Sequence, residues 1–97
     1  MSDFQRLVFS IVKNIPKGKV TTYKIIAAKL NLPKSYRAVG NALNKNRDFL
    51  SIPCHRVVKS DGSLGGYVKG TSKKMRILKK EGIKINNNKS NNEVQYT

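Results

Sequence analysis

Apolar residues in the first half of this chain recur at steps of three and four, and prolines cut the pattern into short pieces. A chain of this kind can build only short amphipathic helices joined by turns. Phe4, Leu7, Val8, Ile11, Val12 and Ile15 give one continuous helical face, with Asp3 placed to cap it, and Pro16 and Gly18 end it. Thr21 or Thr22 can cap a second helix from Tyr23 to Leu30, with Ile26, Ala27 and Leu30 inward. Asn31 to Lys34, with Pro33, form a turn, and Ser35 caps a third helix from Tyr36 to about Asn44. Two short helices across such a turn predict a helix-turn-helix, with the third helix as its recognition helix. Val39 and Leu43 face the core, whereas Ala38, Asn41, Ala42 and Lys45 share an outer face of mostly small side chains.

The second half is less regular. Ile52 to Val58 reads as a short extended segment interrupted by Pro53, and Ser60-Asp61-Gly62 as a turn before the glycine-rich Leu64-Gly65-Gly66-Tyr67. Thr71 or Ser72 caps a last helix, Lys73 to Glu81, with Met75, Ile77 and Leu78 apolar and Gly82 just past its end. From Asn86 the chain is asparagine-rich with little to bury. The expected organisation is one domain over residues 1–85 and a disordered tail over 86–97. The fold class is mainly α: a winged-helix-like helix-turn-helix domain with a small hairpin.

Composition restricts the partner. Lys and Arg number 20 against 5 Asp and Glu, a formal net charge of +15 over 97 residues. The tail contributes only Lys84, Lys89 and Glu93, so nearly all of this charge belongs to residues 1–82. Such a balance points to a polyanion, nucleic acid first and an anionic membrane surface second. No apolar run approaches the roughly 18 residues a membrane span needs, and no signal peptide is visible. One cysteine makes no intrachain disulfide, and one His with one Cys does not build a zinc site. No metal, no cofactor and no membrane association are expected; a monomer in a reducing intracellular compartment, cytoplasmic or nuclear with the DNA, is.

Ile52-Pro53-Cys54-His55-Arg56-Val57 places the only Cys, the only His and an Arg side by side. A lone Cys is ordinarily a small buried hydrophobe and a lone His a structural one. Their adjacency behind a proline in a very basic chain favours chemistry. The thiolate is the reactive form of cysteine, and both an imidazole and positive potential promote it.

Pro53-Cys54-His55-Arg56-Val57 resembles the active-site motif of the O6-alkylguanine-DNA alkyltransferases, and the likeness extends in one register over about residues 4–82. Ile15-Pro16-Lys17-Gly18-Lys19-Val20 with Tyr23 resembles the family's entry to its helix-turn-helix. Arg37-Ala38-Val39-Gly40 with Ala42 is similar to its recognition-helix motif. Asn46 matches its hinge asparagine, Asp61-Gly62 through Gly65 and Tyr67 its active-site loop, and Lys74 through Glu81 its final helix.

The resemblance implies repair of O6-alkylguanine in double-stranded DNA by single, irreversible transfer of the alkyl group to Cys54. It implies that His55 helps take the thiol proton through water while Glu81 orients the imidazole. Tyr67 donates to guanine N3, and Asn46 ties the helix-turn-helix to the active-site segment. Arg37 fills the gap left by an extruded base, and Tyr23 presses on the backbone of the target nucleotide. Ala38, Asn41, Ala42 and Lys45 face the minor groove, about 6 Å wide, and Leu43, Val57, Val58 and Lys69 line or support the base pocket. Each has a plainer alternative: for Arg37 a solvated first-turn cation, for Tyr23 and Tyr67 core aromatics, for Asn46 a loop cap.

The chain departs from the family in three respects. Relatives commonly carry a domain N-terminal to this one, whereas the match here begins at Phe4. Arg47 follows Asn46 where Pro is usual, and Lys69 replaces a small residue near the pocket. A related group, the alkyltransferase-like proteins, is short as this chain is, but typically has Trp in place of the nucleophile and binds lesions without transfer. A helix-turn-helix regulator with a structural Cys is the remaining alternative.

Overall fold

The computed structural model describes residues 2–49, 51–67, 69–86 and 89–90. Helix α1 spans Asp3–Lys13. Its cap is Ser2 rather than Asp3: the Ser2 hydroxyl accepts from the Gln5 N–H while the Gln5 side chain reaches back, a reciprocal capping box. Asp3 instead sits in the first turn, where a carboxylate offsets the helix dipole. Val8, Phe9 and Val12 are buried, whereas Leu7 is 54% exposed. The inward face is therefore rotated toward Phe9.

Strand β1 is Thr21–Thr22 and leads directly into α2, Tyr23–Lys29. Thr22 is the cap, accepting at 3.0 Å from the Ile25 N–H. After the turn, α3 spans Tyr36–Leu43. Ser35 precedes it without a side-chain capping bond. Helices α1, α2 and α3 close around Val8, Phe9, Val12, Ile26, Ala27, Val39 and Leu43, as a helix-turn-helix core should.

The Cys-His-Arg segment is not extended. Cys54–Arg56 form one 3₁₀ turn, followed by strand β2, Val57–Val58. Pro53, whose φ is fixed and whose nitrogen carries no hydrogen, opens the turn, and its carbonyl accepts from the Arg56 N–H at 2.9 Å. The consequence is geometric: in a 3₁₀ turn neighbouring side chains fan about 120° apart, so Cys54 is directed away from His55 and Arg56, which both reach Glu81. Strand β2 pairs in parallel with β1, Thr21 opposite Val57 and Thr22 opposite Val58.

Because successive strand residues point to opposite faces, this small ladder separates two cores. Val57 belongs to the helix-turn-helix core. Val58 belongs to a second one with Val20, Leu64, Leu78 and Ile83. Helix α4, Thr71–Lys80, supplies Leu78 to the second core. Gly70 precedes it without a capping side chain, so neither Thr71 nor Ser72 serves as its cap. Gly82 follows it with φ +91°, the left-handed stop expected there.

The small hairpin lies near the C-terminal end of the described residues. Strands β3, Ile85–Asn86, and β4, Lys89–Ser90, form an antiparallel pair. The tail expected to be disordered from Asn86 thus begins inside a ladder; Asn87, Asn88 and residues 91–97 lie outside the described residues. Ser60-Asp61-Gly62 does turn the chain after β2, with Lys59 N–H bonded to the Ser63 carbonyl at 2.8 Å, and Ser63 on its far side bridges to Lys89.

Lys74 is the least expected core residue. It is fully buried, and its ammonium donates to the carbonyls of Val57 (2.6 Å), Leu64 and Gly66 (3.2 Å). One side chain of α4 thereby holds both β2 and the glycine-rich loop. Burial pushes its pKa down to about 8, and the neighbouring Cys54 opposes that shift. Truncating it leaves a cavity and orphans three carbonyls. Lys74→Ala should cost about 3–5 kcal/mol in urea unfolding at pH 7, whereas exposed Lys79→Ala should stay within about 0.5 kcal/mol.

Candidate active site

The site is assembled where the 3₁₀ turn meets the C-terminal end of α4. Glu81 caps that helix end and turns its carboxylate inward. Its Oε2 accepts from His55 Nε2 at 3.0 Å and from Arg56 Nη2 at 2.7 Å, and its Oε1 accepts from Arg56 Nε at 2.9 Å. The arginine is thus bidentate, and its third donor, Nη1, bonds the Ile15 carbonyl at 2.8 Å. Burial alone would raise Glu81, but Arg56 and His55 hold its carboxyl below the usual range. Burial lowers His55, outweighing the opposite pull of Glu81. A neutral imidazole that donates from Nε2 leaves Nδ1 as an acceptor.

Cys54 is buried at 6% exposure, one residue from this array. Beside it Tyr23, Gly40, Leu43, Asn44, Gly66 and Tyr67 enclose a space of about 10 Å³, room for one water. Burial raises the Tyr67 phenol and the Cys54 sulfur adds to the shift, so the hydroxyl keeps its proton and remains a donor. The Tyr67 ring lies edge-on to His55 at 6.5 Å and to Phe49 at 6.1 Å. The Lys69 ammonium sits 4.2 Å above the Phe49 ring. Phe49, Tyr67 and Lys69 therefore form a stack next to the thiol.

Asn46 is buried at the end of α3. Its amide donates to the Ile52 carbonyl at 3.0 Å and accepts from the Asp48 N–H at 2.9 Å, joining the recognition helix to the segment before Cys54. Tyr23 lies between α3 and the glycine-rich loop. A side chain on Gly65, whose φ is +71°, would meet the Tyr23 hydroxyl at 3.1 Å, so this position requires glycine on two counts.

Outside the small space runs a cleft of about 510 Å³, lined by Tyr23, Lys24, Tyr36, Arg37, Asn41 and Lys59 among others. It carries three cations and no carboxylate. Lys24 also lies 5.5 Å above the Tyr36 ring.

The structure brings together Cys54, Tyr67, Tyr23 and Leu43 around the small space, with His55, Glu81 and Asn46 behind them. Arg37 and Asn41 border the cleft; Ala38 and Lys45 are exposed outside its lining. Ala42 differs from expectation. It is 3% exposed and packs in the core, because it lies one turn from Val39 on the inward side of α3. Val57 and Val58 are fully buried and support the site without bordering its cavity. Three residues escaped the sequence reading as site members: Arg56, Phe49 and Lys74. For Arg56 its place in the Cys-His-Arg tripeptide was a signal; for the other two nothing local marks them.

Residues 3–83 match the model of the 6-O-methylguanine DNA methyltransferase DNA-binding domain, and the chain belongs to that family. Among its relatives, a methylated-DNA–protein-cysteine methyltransferase of Methanosarcina barkeri is 48% identical over 80 residues, covering 82% of this chain and 51% of the relative. A bifunctional methyltransferase/endonuclease of Picrophilus torridus is 46% identical over 85 residues, 88% of this chain and 28% of its own length. The chain thus spans about half or less of the length of these curated relatives. The crystal structure of Mycobacterium tuberculosis OGT in complex with DNA superposes with a TM-score of 0.81 at 36% identity, over 84% of this chain and 50% of that one. S. pombe Atl1, in complex with damaged DNA containing O6-carboxymethylguanine, superposes with 0.85 at 27% identity, over 100% of this chain and 97% of that one. No described helix is long and apolar enough to cross a membrane.

The shifts of Glu81 and His55 fix a pH dependence. A carboxyl held below its ordinary value stabilises the fold above that value and ceases to do so as pH falls through the folded one. A His lowered by burial opposes folding once protonated, so stability also falls as pH drops below about 6.5. Both act in the same direction. Urea midpoints measured from pH 8 to pH 3 should decline toward acid. Glu81→Gln should lose about 2–4 kcal/mol at pH 7 and show a shallower acid decline; parallel curves for the two proteins would exclude the assignment.

Proposed function

We propose that this protein repairs O6-alkylguanine in double-stranded DNA by transferring the alkyl group, once and irreversibly, to Cys54. The observation that carries this reading is the placement of a buried thiol between a carboxylate-oriented neutral imidazole and a protonated tyrosine. In the proposed reaction His55 Nδ1, through one water, takes the thiol proton. The Cys54 sulfur attacks the alkyl carbon in line, the carbon–sulfur bond forms, and the carbon–O6 bond breaks with its electron pair on the base. Tyr67 gives a proton to guanine N3 so that the base leaves neutral, and the proton held by His55 restores the phenol. Glu81, anchored by Arg56, keeps the imidazole in the required tautomer. No metal or cofactor enters this scheme.

The space beside Cys54 takes one water, not a purine, so the reading requires the Phe49–Tyr67–Lys69 stack to move outward as a base enters. Extruding a base costs a few kcal/mol. Arg37, exposed on the first turn of α3 at the cleft, fills the gap in the stack, and Lys24 and Lys59 meet phosphates along it. The reaction places the protein inside the cell with the DNA.

A second reading is lesion sensing without transfer. It is favoured by the superposition with Atl1, solved with damaged DNA, at a TM-score of 0.85, and Cys54 argues against it. Incubation with a duplex carrying O6-methylguanine, followed by intact-protein mass measurement, separates the two. The expected result is one added methyl group per molecule, located on Cys54, with no further turnover on excess substrate. Cys54→Ser should gain no mass while keeping lesion binding within about tenfold of wild type, about 1.4 kcal/mol. Tight lesion binding by the wild type with unchanged mass overturns transfer in favour of sensing.

Arg37→Ala should slow transfer from duplex by roughly 10- to 100-fold, the equivalent of a few kcal/mol of extrusion cost, while leaving reaction with free O6-alkylguanine base nearly unchanged. Equal losses on both substrates would indicate a folding defect and remove the wedge role.

A further inference from the structure

The back of the molecule carries a basic stripe that the proposed chemistry does not use. Helix α4 turns Lys74 and Leu78 inward and leaves Lys73, Arg76, Lys79 and Lys80 exposed. Lys73, Arg76 and Lys80 are three and seven residues apart and line up on one side of the helix, with Lys79 beside them. The stripe is about 10 Å long at 1.5 Å per residue, comparable to three phosphate steps of one DNA strand at about 3.4 Å of duplex axis each.

Its position is fixed by the two-core arrangement. Helices α1 to α3 pack on the Val57 side of the β1–β2 ladder and α4 on the Val58 side. The exposed side of α4 therefore points away from the cleft beside α3, and α4 contributes no residue to the lining of that cleft.

Helix stability does not account for the stripe. Lys79 and Lys80 in the last turn offset the helix dipole, but Lys73 stands in the first turn, where a cation is unfavourable. Neutralisation within the chain does not account for it either. Glu81, the nearest carboxylate in sequence, is turned inward to His55 and Arg56, and among the described residues none of the four cations forms an ion pair. Exposed Lys17 and Lys19 extend the positive field, since the Gly18 between them lies against the Glu81 carbonyl at the end of α4.

We propose that the outer face of α4 binds the phosphate backbone of a second duplex segment, so that one molecule bridges two stretches of DNA. This bridging rests on the reading that the α3 cleft is the primary DNA face. It would let the protein step between neighbouring segments without release into solution.

The test uses the full chain and two short duplexes, one carrying O6-methylguanine and a donor dye, the other undamaged and carrying an acceptor. At low salt the wild type should bring the two together and produce energy transfer. Lys73→Gln/Arg76→Gln/Lys80→Gln keeps good helix formers at exposed positions. It should bind the first duplex within about twofold, take up its methyl group, and show at least tenfold weaker bridging. The log–log salt slope of bridging should be shallower by about 2.7 for three lost contacts. A wild type that holds the damaged duplex without drawing in the second overturns the inference, as does undiminished bridging by the triple variant. Capture of anionic phospholipid vesicles in preference to the second duplex also overturns it, in favour of a membrane surface. If α3 were not a DNA face, a single duplex would still bind through the stripe and the triple variant would lose it. That outcome removes the functional reading and keeps the α4 surface.

Discussion

The carboxylate of Glu81 is the contact on which the rest depends. Through it the last turn of α4 holds His55 and Arg56, and through Arg56 it reaches the carbonyl of Ile15 after α1. Three distant stretches of chain meet at one buried group. A carboxylate in such a place is costly unless it is paired and hydrogen-bonded. Two donors from a planar guanidinium and one from an imidazole supply three such bonds. The same bonds set the imidazole's tautomer, because a ring that donates from Nε2 presents Nδ1 as an acceptor. In the proposed reaction, stability and reactivity would draw on one set of hydrogen bonds.

The 3₁₀ turn makes this possible. In an extended segment Cys54 and Arg56 would share a face and His55 would oppose them. The tight turn instead sends the thiol toward α3 and the cleft while His55 and Arg56 turn to Glu81. The turn is held by Pro53 at its start and by β2, paired to β1, at its end. Asn46 anchors the chain just before it and Lys74 the loop that follows it. These two buried polar side chains act as struts across loops that carry few apolar residues of their own.

The helix-turn-helix was legible because its apolar residues repeat at helical steps and its breakers are prolines. Ser2 replacing Asp3 as a cap, or Phe9 replacing Leu7 in the core, are shifts of one or two residues within a correctly read element. What was not legible follows from length and distance. A two-residue strand has no periodicity, so the β1–β2 pairing and the division into two cores left no local trace. Lys74 looks like any other lysine of a lysine-rich helix until the carbonyls of Val57, Leu64 and Gly66 are placed around it. Phe49 sits in a loop, and its stack with Tyr67 and Lys69 exists only after folding. The Cys-His-Arg grouping stands out in the sequence as a candidate for chemistry, but resemblance, not spacing, joins it to Tyr67 and Glu81.

With only five carboxylates in 97 residues, how each is used matters. Asp3 sits at the α1 N-terminus, Asp48 accepts from the Ser51 N–H, Asp61 closes its turn onto Ser63, and Glu81 holds the site. Asp3, Asp48 and Asp61 act within their own turns, and Glu81 is taken up by His55 and Arg56, with which it forms ion pairs. Neighbouring surface cations such as those of α4 are therefore left to repel one another at short range, within the Debye length of about 8 Å at physiological salt. Such a surface opposes the compact state, and a bound polyanion relieves the repulsion while releasing its own counterions. The same unneutralised charge that weakens the free protein would thus strengthen its hold on a polyanion, such as the DNA of the proposed function. Because that charge covers both sides of the β1–β2 ladder, the gain is not confined to the face that carries Cys54.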